Sequence, residues 1–466
     1  MKKISLILVL CLLISCDLED TNKDPRRLLD VEAVEIIPVA QAQTMFNINT
    51  VSNRAAAIFV QHMNGISLQE DDQERYNFPP SDLNNAWSDG YFAGVLKDCD
   101  LIISKADKNN QPHIAGIGRV LMAYSLGVAT TLWGDIPYSD AFMGEEILQP
   151  SYDTQESIYN TIQELLNTAI VNLTQPSGVA SIGNNDLFFG GDTNLWIKTA
   201  RSLKVRYLMH LIKRDPLATN KATELFNKPV ISSLEDQPTF PYGLSITDGN
   251  PLTTFNISQG RLTGNLSLAE NMLMKSDPRF NSYFIVDGSS YPIFDAGGAT
   301  SLFWSNFDSP LSLISYTEVK FLEAEVKLRS GDSFGAETTL QNAVRANMEQ
   351  LGIEATADIQ NYLDINVTFT GLSTEEERLE KIIEEKHIAL FWQGSIESWT
   401  DYRRTGYPNL TPNPNGSNEF DPSGVIPRRF MYPLIEATTN SKNLQEAIAR
   451  QGNGKGLLDS EMWAFE

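Results

Sequence analysis

Residues 316–351 read YTEVKFLEAEVKLRSGDSFGAETTLQNAVRANMEQL, and their spacing decides the fold. Val319, Leu322 and Val326 recur at helical intervals and line one face. Gly331-Asp332 then stops the helix, since glycine supplies the left-handed backbone that helix ends require. Ala336, Leu340, Val344, Met348 and Leu351 line the face of a second helix. The stretch therefore predicts two helices, 312–330 and 333–351, joined by a tight turn and packed on each other.

Small residues at Ala324, Ala336 and Ala343 permit the close approach of tetratricopeptide units, whose repeat is about 34 residues. Working outward, Ile117, Leu121, Tyr124, Val128 and Leu132 give one buried face to a helix over 112–133. Asp153-Thr154-Gln155-Glu156 caps a helix carrying Ile158, Ile162, Leu165, Leu166, Ala169 and Leu173. Asn194 to Lys213, with Trp196, Ala200, Leu203, Tyr207 and Leu211, is a third long helix. Further helices are predicted near 32–64, 84–107, 265–275 and 374–404. Strand-like runs are few, at Tyr283–Val286 and Tyr291–Phe294. The chain is mainly α, with about four irregular helix pairs in a solenoid-like half. Against them packs a loop-rich region, about 226–310, where Pro229, Pro238, Pro241, Pro251, Pro278, Pro292 and Gly297-Gly298 gather. That region and the loop Ser67–Leu83 are where a ligand surface is expected.

Lys2 and Lys3 precede an apolar run from Ile4 to Ser15 that ends directly before Cys16. As a helix the run reaches about 18 Å, short of a hydrocarbon core of roughly 30 Å. It reads as a signal peptide, residues 1–15, and Leu13-Ile14-Ser15-Cys16 resembles the lipobox of bacterial lipoproteins. That resemblance implies a mature N-terminus at Cys16 carrying acyl chains inserted in the outer-membrane lipid. Asp17, Glu19 and Asp20 follow in an acidic tether over 16–30, similar to the signal that sends Bacteroidota lipoproteins to the cell exterior. Removing residues 1–15, with their two lysines and no acids, moves the formal charge from −23 to −25. Such acidity argues against nucleic acid or anionic lipid as a partner. At 42% hydrophobic and 20% charged, residues 31–466 have the composition of one globular body. Of three cysteines only Cys99 belongs to that body, as a small buried apolar residue of a helix.

Four stretches point to one family. Thr131-Leu132-Trp133-Gly134-Asp135-Ile136-Pro137-Tyr138 is similar to the "WGDVPY" turn of SusD/RagB lipoproteins. Tyr316, Glu318, Phe321-Leu322 and Ala324-Glu325, followed by Asn342-Ala343-Val344-Arg345-Ala346, resemble the family's helix-pair signature. The segment from Ile382 to Gly394 and then Trp399-Thr400-Asp401-Tyr402-Arg403-Arg404-Thr405-Gly406 matches a third motif, and Ile426-Pro427-Arg428-Arg429 with Tyr432-Pro433 and Glu436 a fourth. Departures fall at Lys386-His387 and at Ser395-Ile396-Glu397-Ser398, neither expected to touch ligand. The resemblance implies a SusD-like fold and a lid over a SusC-type TonB-dependent outer-membrane transporter, capturing oligosaccharide. A peptide-binding lid of the same transporter is the alternative, and a surface glycosidase or adhesin a third reading.

Glu384, Glu385 and Asp401 are the carboxylates that a glycosidase would need, but Lys381, Arg403 and Arg404 beside them suit ion pairs between helices. His62, His113, His210 and His387 lack metal-ligand spacing, and no cofactor motif occurs. The expectation is binding without catalysis. A glycan site pairs an exposed aromatic face with amide and charged hydrogen-bonding groups. Tyr76 with Arg75 and Asn77, Tyr291, and Phe303-Trp304 with Asn306 fit that pattern, and for each the competing reading is a loop anchored by a half-buried ring. Trp87, Tyr91, Trp133, Trp392 and Trp399 are expected in the core.

Overall fold

A computed structural model describes residues 31–177, 182–294, 302–354 and 357–466. The signal segment, Cys16, the acidic residues behind it and Gly297-Gly298 lie outside the described residues. The fold is mainly α, as expected. Tyr316–Arg329 and Ser333–Gln350 form the predicted pair, broken at Gly331 (φ +86°) and restarted by Asp332, whose carboxylate accepts the Gly335 amide. Helix Glu375–Ala389 lies on both, and Phe321, Leu328, Leu340, Val344, Met348, Leu363, Leu379 and Ile382 form a core between them.

A second, larger core fills the rest. Helices Leu96–Lys108, Pro112–Trp133, Gln155–Thr174 and Thr193–His210 follow one another in space as in sequence, each against the next, and Ala218–Phe226 links the last to the 316–329 pair. The 155–174 and 193–210 helices start where Thr154 and Asp192 accept backbone N–H groups. Helix 112–133 corrects one expectation: it buries more than one face. Every residue from Ile114 to Trp133 except Arg119 is buried. The helix is long and apolar enough to cross a membrane, yet 94% of its most apolar window lies inside the protein. Glycines make the enclosure possible, since a Cβ at Gly127 would sit 2.2 Å from the Tyr207 hydroxyl and one at Gly116 2.7 Å from Leu173.

Two long helices predicted as continuous are split. The 32–64 segment becomes Ala33–Ile48 and Val51–Phe59, and the 374–404 segment breaks at 390–394 before Ser395–Thr405. At the second break Trp392 adopts φ +68°, and its carbonyl accepts the Asn53 side-chain amide at 2.6 Å. The predicted strands at 283–286 and 291–294 are not strands. Phe280–Tyr283 is a helical turn, and the two runs are joined by an Ile285 amide to Pro292 carbonyl bond and a bridge at Asp287 and Ser290. The strands present are short antiparallel pairs, Met63–Gly65 with Leu262–Gly264, Ile136–Pro137 with Tyr152–Asp153, and Thr239–Phe240 with Leu311–Ser312. The loop-rich region also holds helices Pro251–Gln259 and Leu266–Met274.

Residues 426–466 close the larger core. The Trp133 indole donates to the Met431 carbonyl, Tyr432 OH donates to the Asp135 carbonyl at 2.6 Å, and Ala464 and Phe465 are fully or nearly fully buried. The first and fourth motifs of the sequence thus meet as one interlocked seam.

Candidate functional site

The carboxylates that could suggest hydrolysis are engaged in structure. Glu385, wholly buried, lies 2.6 Å from Arg279 and accepts from Tyr362 OH. Asp401 pairs with Lys386 at 2.8 Å and Arg404 at 2.6 Å, and Arg404 also grips Glu325 at 2.5 Å. Burial pushes the Glu325 carboxyl up, but Arg404 and Arg329 outweigh it and hold it well below the usual range. Glu384 faces Lys381 across 3.3 Å. Arg403 corrects the expectation of ion pairing: it stacks over Trp399 at 3.8 Å, donates to the Thr131 carbonyl, and burial lowers it to about 9.

The sequence departures turn out to face one another. His387 Nδ1 lies 2.7 Å from Ser398 Oγ, while His62 Nδ1 lies 2.8 Å from Ser395 Oγ and its Nε2 donates to the His387 carbonyl. The two rings are 4.2 Å apart between centroids. Burial lowers His62 to about 3 and His387 well below its ordinary value, so both are neutral at physiological pH. Glu397 pairs with His210 at 2.9 Å. Cys99 is buried and burial, with Asp98 and Asp100 nearby, raises its thiol. Trp87, Tyr91, Trp133, Trp392 and Trp399 are core residues, as expected. Among the described residues no group of three or more His, Cys, Asp or Glu side chains is placed to hold a metal ion.

The sequence-selected loop aromatics separate into two groups. Tyr76 is only 3% exposed: its ring meets Phe59 and the backbone at Gly416, and its hydroxyl accepts the Asn413 amide at 2.9 Å. Its neighbour Arg75 reaches back to Asp71 and Asp72, and Asn77 to Asp72. Trp304 is also buried, packed edge-on against Phe303. Tyr291 and Phe303 are half-buried and Asn306 is exposed. Tyr76 and Trp304 therefore anchor loops and present no open ring face.

An open aromatic exists elsewhere. Helix 33–48 buries Ala33, Ile37, Ala40, Thr44 and Ile48, and turns Val39 and Phe46, seven residues apart, outward. Phe46 is 54% exposed and Val39 56%. Phe46 and Gln43 line two adjoining concavities. One, about 610 Å³, is completed by Phe240, Tyr242, Ile246, Asp248 and Thr254. The other, about 550 Å³, is bounded by Thr50, Arg54, Gln69, Asp82, Asn85 and Asp89. Tyr242 is fixed by its hydroxyl, which accepts from Asn49 at 3.1 Å and donates to the Met45 carbonyl. Gln43 donates to Asn47 Oδ1 and to the Asp89 carbonyl. Arg54 lies over the Phe255 ring at 3.7 Å and 3.3 Å from Glu70; burial pulls its pKa down and Glu70 offsets part of that. The result is a groove with an apolar floor and polar rims, the composition of a saccharide site. Sequence reasoning missed these residues, although the second outward stripe of Val39 and Phe46 was there to be seen.

Comparison with known proteins agrees with the fold. No curated protein sequence matches the chain. Among solved structures, a protein described as a chitin-binding protein superposes with TM-score 0.79 at 22% identity, over 93% of this chain and 100% of its own. A SusD/RagB family protein of Bacteroides thetaiotaomicron gives TM-score 0.77 at 23% identity, over 93% and 99%. A SusD homologue of Bacteroides uniformis gives 0.78 at 24%, over 94% and 100%. The family model SusD-like, described as starch-binding and associating with the outer membrane, matches residues 25–433, and the chain belongs to that family.

Proposed function

We propose that the protein is a cell-surface lipoprotein that captures oligosaccharide in the Phe46 groove and delivers it to a SusC-type TonB-dependent transporter in the outer membrane. Cys16 carries the acyl anchor, and residues 16–30 are the tether. The observation that carries this reading is a ring held open to solvent on a rigid helix, between two concavities with polar rims. A sugar lays its C–H face on such a ring while rim groups bond its hydroxyls. Membership of a starch-binding family and a chitin-binding structural relative favour saccharide over peptide. Tyr291 and Phe303, half-buried, and Asn306, exposed, are further candidate ligand contacts. The role is binding without catalysis, in keeping with Glu385 and Asp401 held in buried ion pairs.

The test is co-purification with a β-barrel transporter together with calorimetry against oligosaccharide and peptide panels. Phe46→Ala is expected to lower saccharide affinity about tenfold or more with unchanged melting temperature, the loss of one stacking contact of roughly 1.4 kcal/mol or more. Binding of peptides alone, through Phe46, transfers the site to the alternative ligand class. Saccharide binding indifferent to Phe46 removes the groove from the proposal.

A further inference from the structure

We infer that the Phe46 groove selects saccharides without negative charge, neutral or amine-bearing, and rejects uronate-rich and sulfated glycans. The inference rests on the groove being the glycan site. Among the described residues Arg54 is the one basic residue lining either concavity. Its guanidinium is hemmed in, with Glu70, which it shares with Arg261, on one side, the Phe255 ring against its plane at 3.7 Å, and a side chain only 11% exposed. A guanidinium so enclosed cannot turn to clamp a ligand carboxylate.

Three carboxylates line the same groove, Asp82 and Asp89 in one concavity and Asp248 in the other. Among the described residues none of the three has a basic partner. Asp248 accepts from the Ser245 hydroxyl and amide, which hold its carboxyl below the usual range, and Asp82 meets Ser81 at 3.5 Å. Gln43, the amide shared by both concavities, already spends its N–H groups on Asn47 and Asp89. The rims are therefore rich in acceptors. Sugar hydroxyls and ammonium groups donate to such rims; carboxylate and sulfate oxygens cannot, and they meet like charge instead. The formal charge of −23 adds long-range repulsion that salt would weaken.

The experiment is a binding screen of the full-length protein against neutral, amine-bearing, uronate and sulfated oligosaccharides of matched length, at roughly 20 mM and 300 mM salt. Expected hits are neutral or amine-bearing, with the amine-bearing ones weakened by salt and no anionic hit at low salt. In the Asp82→Asn, Asp89→Asn, Asp248→Asn variant, three surface changes whose folding is checked by melting temperature, uronate affinity should rise about tenfold relative to neutral sugar. Phe46-dependent binding of a uronate as tight as that of any neutral oligosaccharide overturns the inference while leaving the glycan reading intact. Binding of no saccharide of any charge overturns the glycan reading, and the inference with it.

Discussion

Gly127 shows how much one absent side chain decides. Its Cα faces the Tyr207 ring, and Tyr207 in turn donates to the Tyr124 carbonyl on the same central helix. A methyl group placed 2.2 Å from the Tyr207 hydroxyl must push apart helices 112–133 and 193–210. Gly127→Ala is therefore expected to destabilise by about 1–3 kcal/mol, measured by denaturant titration, although alanine is the better helix former. Arg404 is the charged counterpart. Arg404→Ala leaves Glu325 with Arg329 and Asp401 with Lys386 as their remaining cations and should cost about 3 kcal/mol, whereas replacing the whole cluster with apolar residues should cost less. At this scale Tyr76 follows the competing reading, a ring that anchors its loop, and the sequence could not decide it for a physical reason. An aromatic between Arg75 and Asn77 in a polar loop looks exposed, and the residue that covers it, Asn413, lies 337 positions away.

At the scale of elements, the helix pairs were legible because apolar spacing and stop signals are local. The 316–329 and 333–350 pair follows directly from Val319, Leu322, Gly331 and Leu340. The breaks were not legible, because Trp392 and its left-handed backbone are held by Asn53 on a distant helix. Likewise the groove joins residues 46, 85 and 248, which no window of sequence contains. His62 and His387, ring against ring, tie helix 375–389 to the chain that follows helix 51–59. Their folded pKa values are depressed, His62 to about 3, so their stabilising contribution is present above the unfolded value near 6.5 and is lost progressively as pH falls below it. Acidification protonates the unfolded state first, draining on the order of 1.4 kcal/mol per pH unit for each histidine. Stability should therefore decline between pH 6.5 and 5, before most carboxylates titrate. His62→Gln should flatten that slope, and urea midpoints across the range provide the measurement.

For the whole molecule, the four resemblance motifs prove to be scaffolding, which explains why they announce the fold clearly and the ligand not at all. The turn at 131–138 and the segment at 426–433 clasp each other, and the charged residues near 385–404 bind helices together. Function is left to surfaces that the motifs do not touch. The proposed anchor belongs to this scale too: Cys16→Ser is expected to release the protein from the outer-membrane fraction into the medium or periplasm, checked by fractionation and by metabolic labelling with a fatty acid.

The closing seam has a consequence for folding. Ala464 donates its amide to Gln155 and Phe465 covers the Arg403 guanidinium, so the larger core is sealed by residues some three hundred positions after its central helix. Cover for that core therefore depends on contacts of very large sequence separation, which form at a high cost in loop-closure entropy.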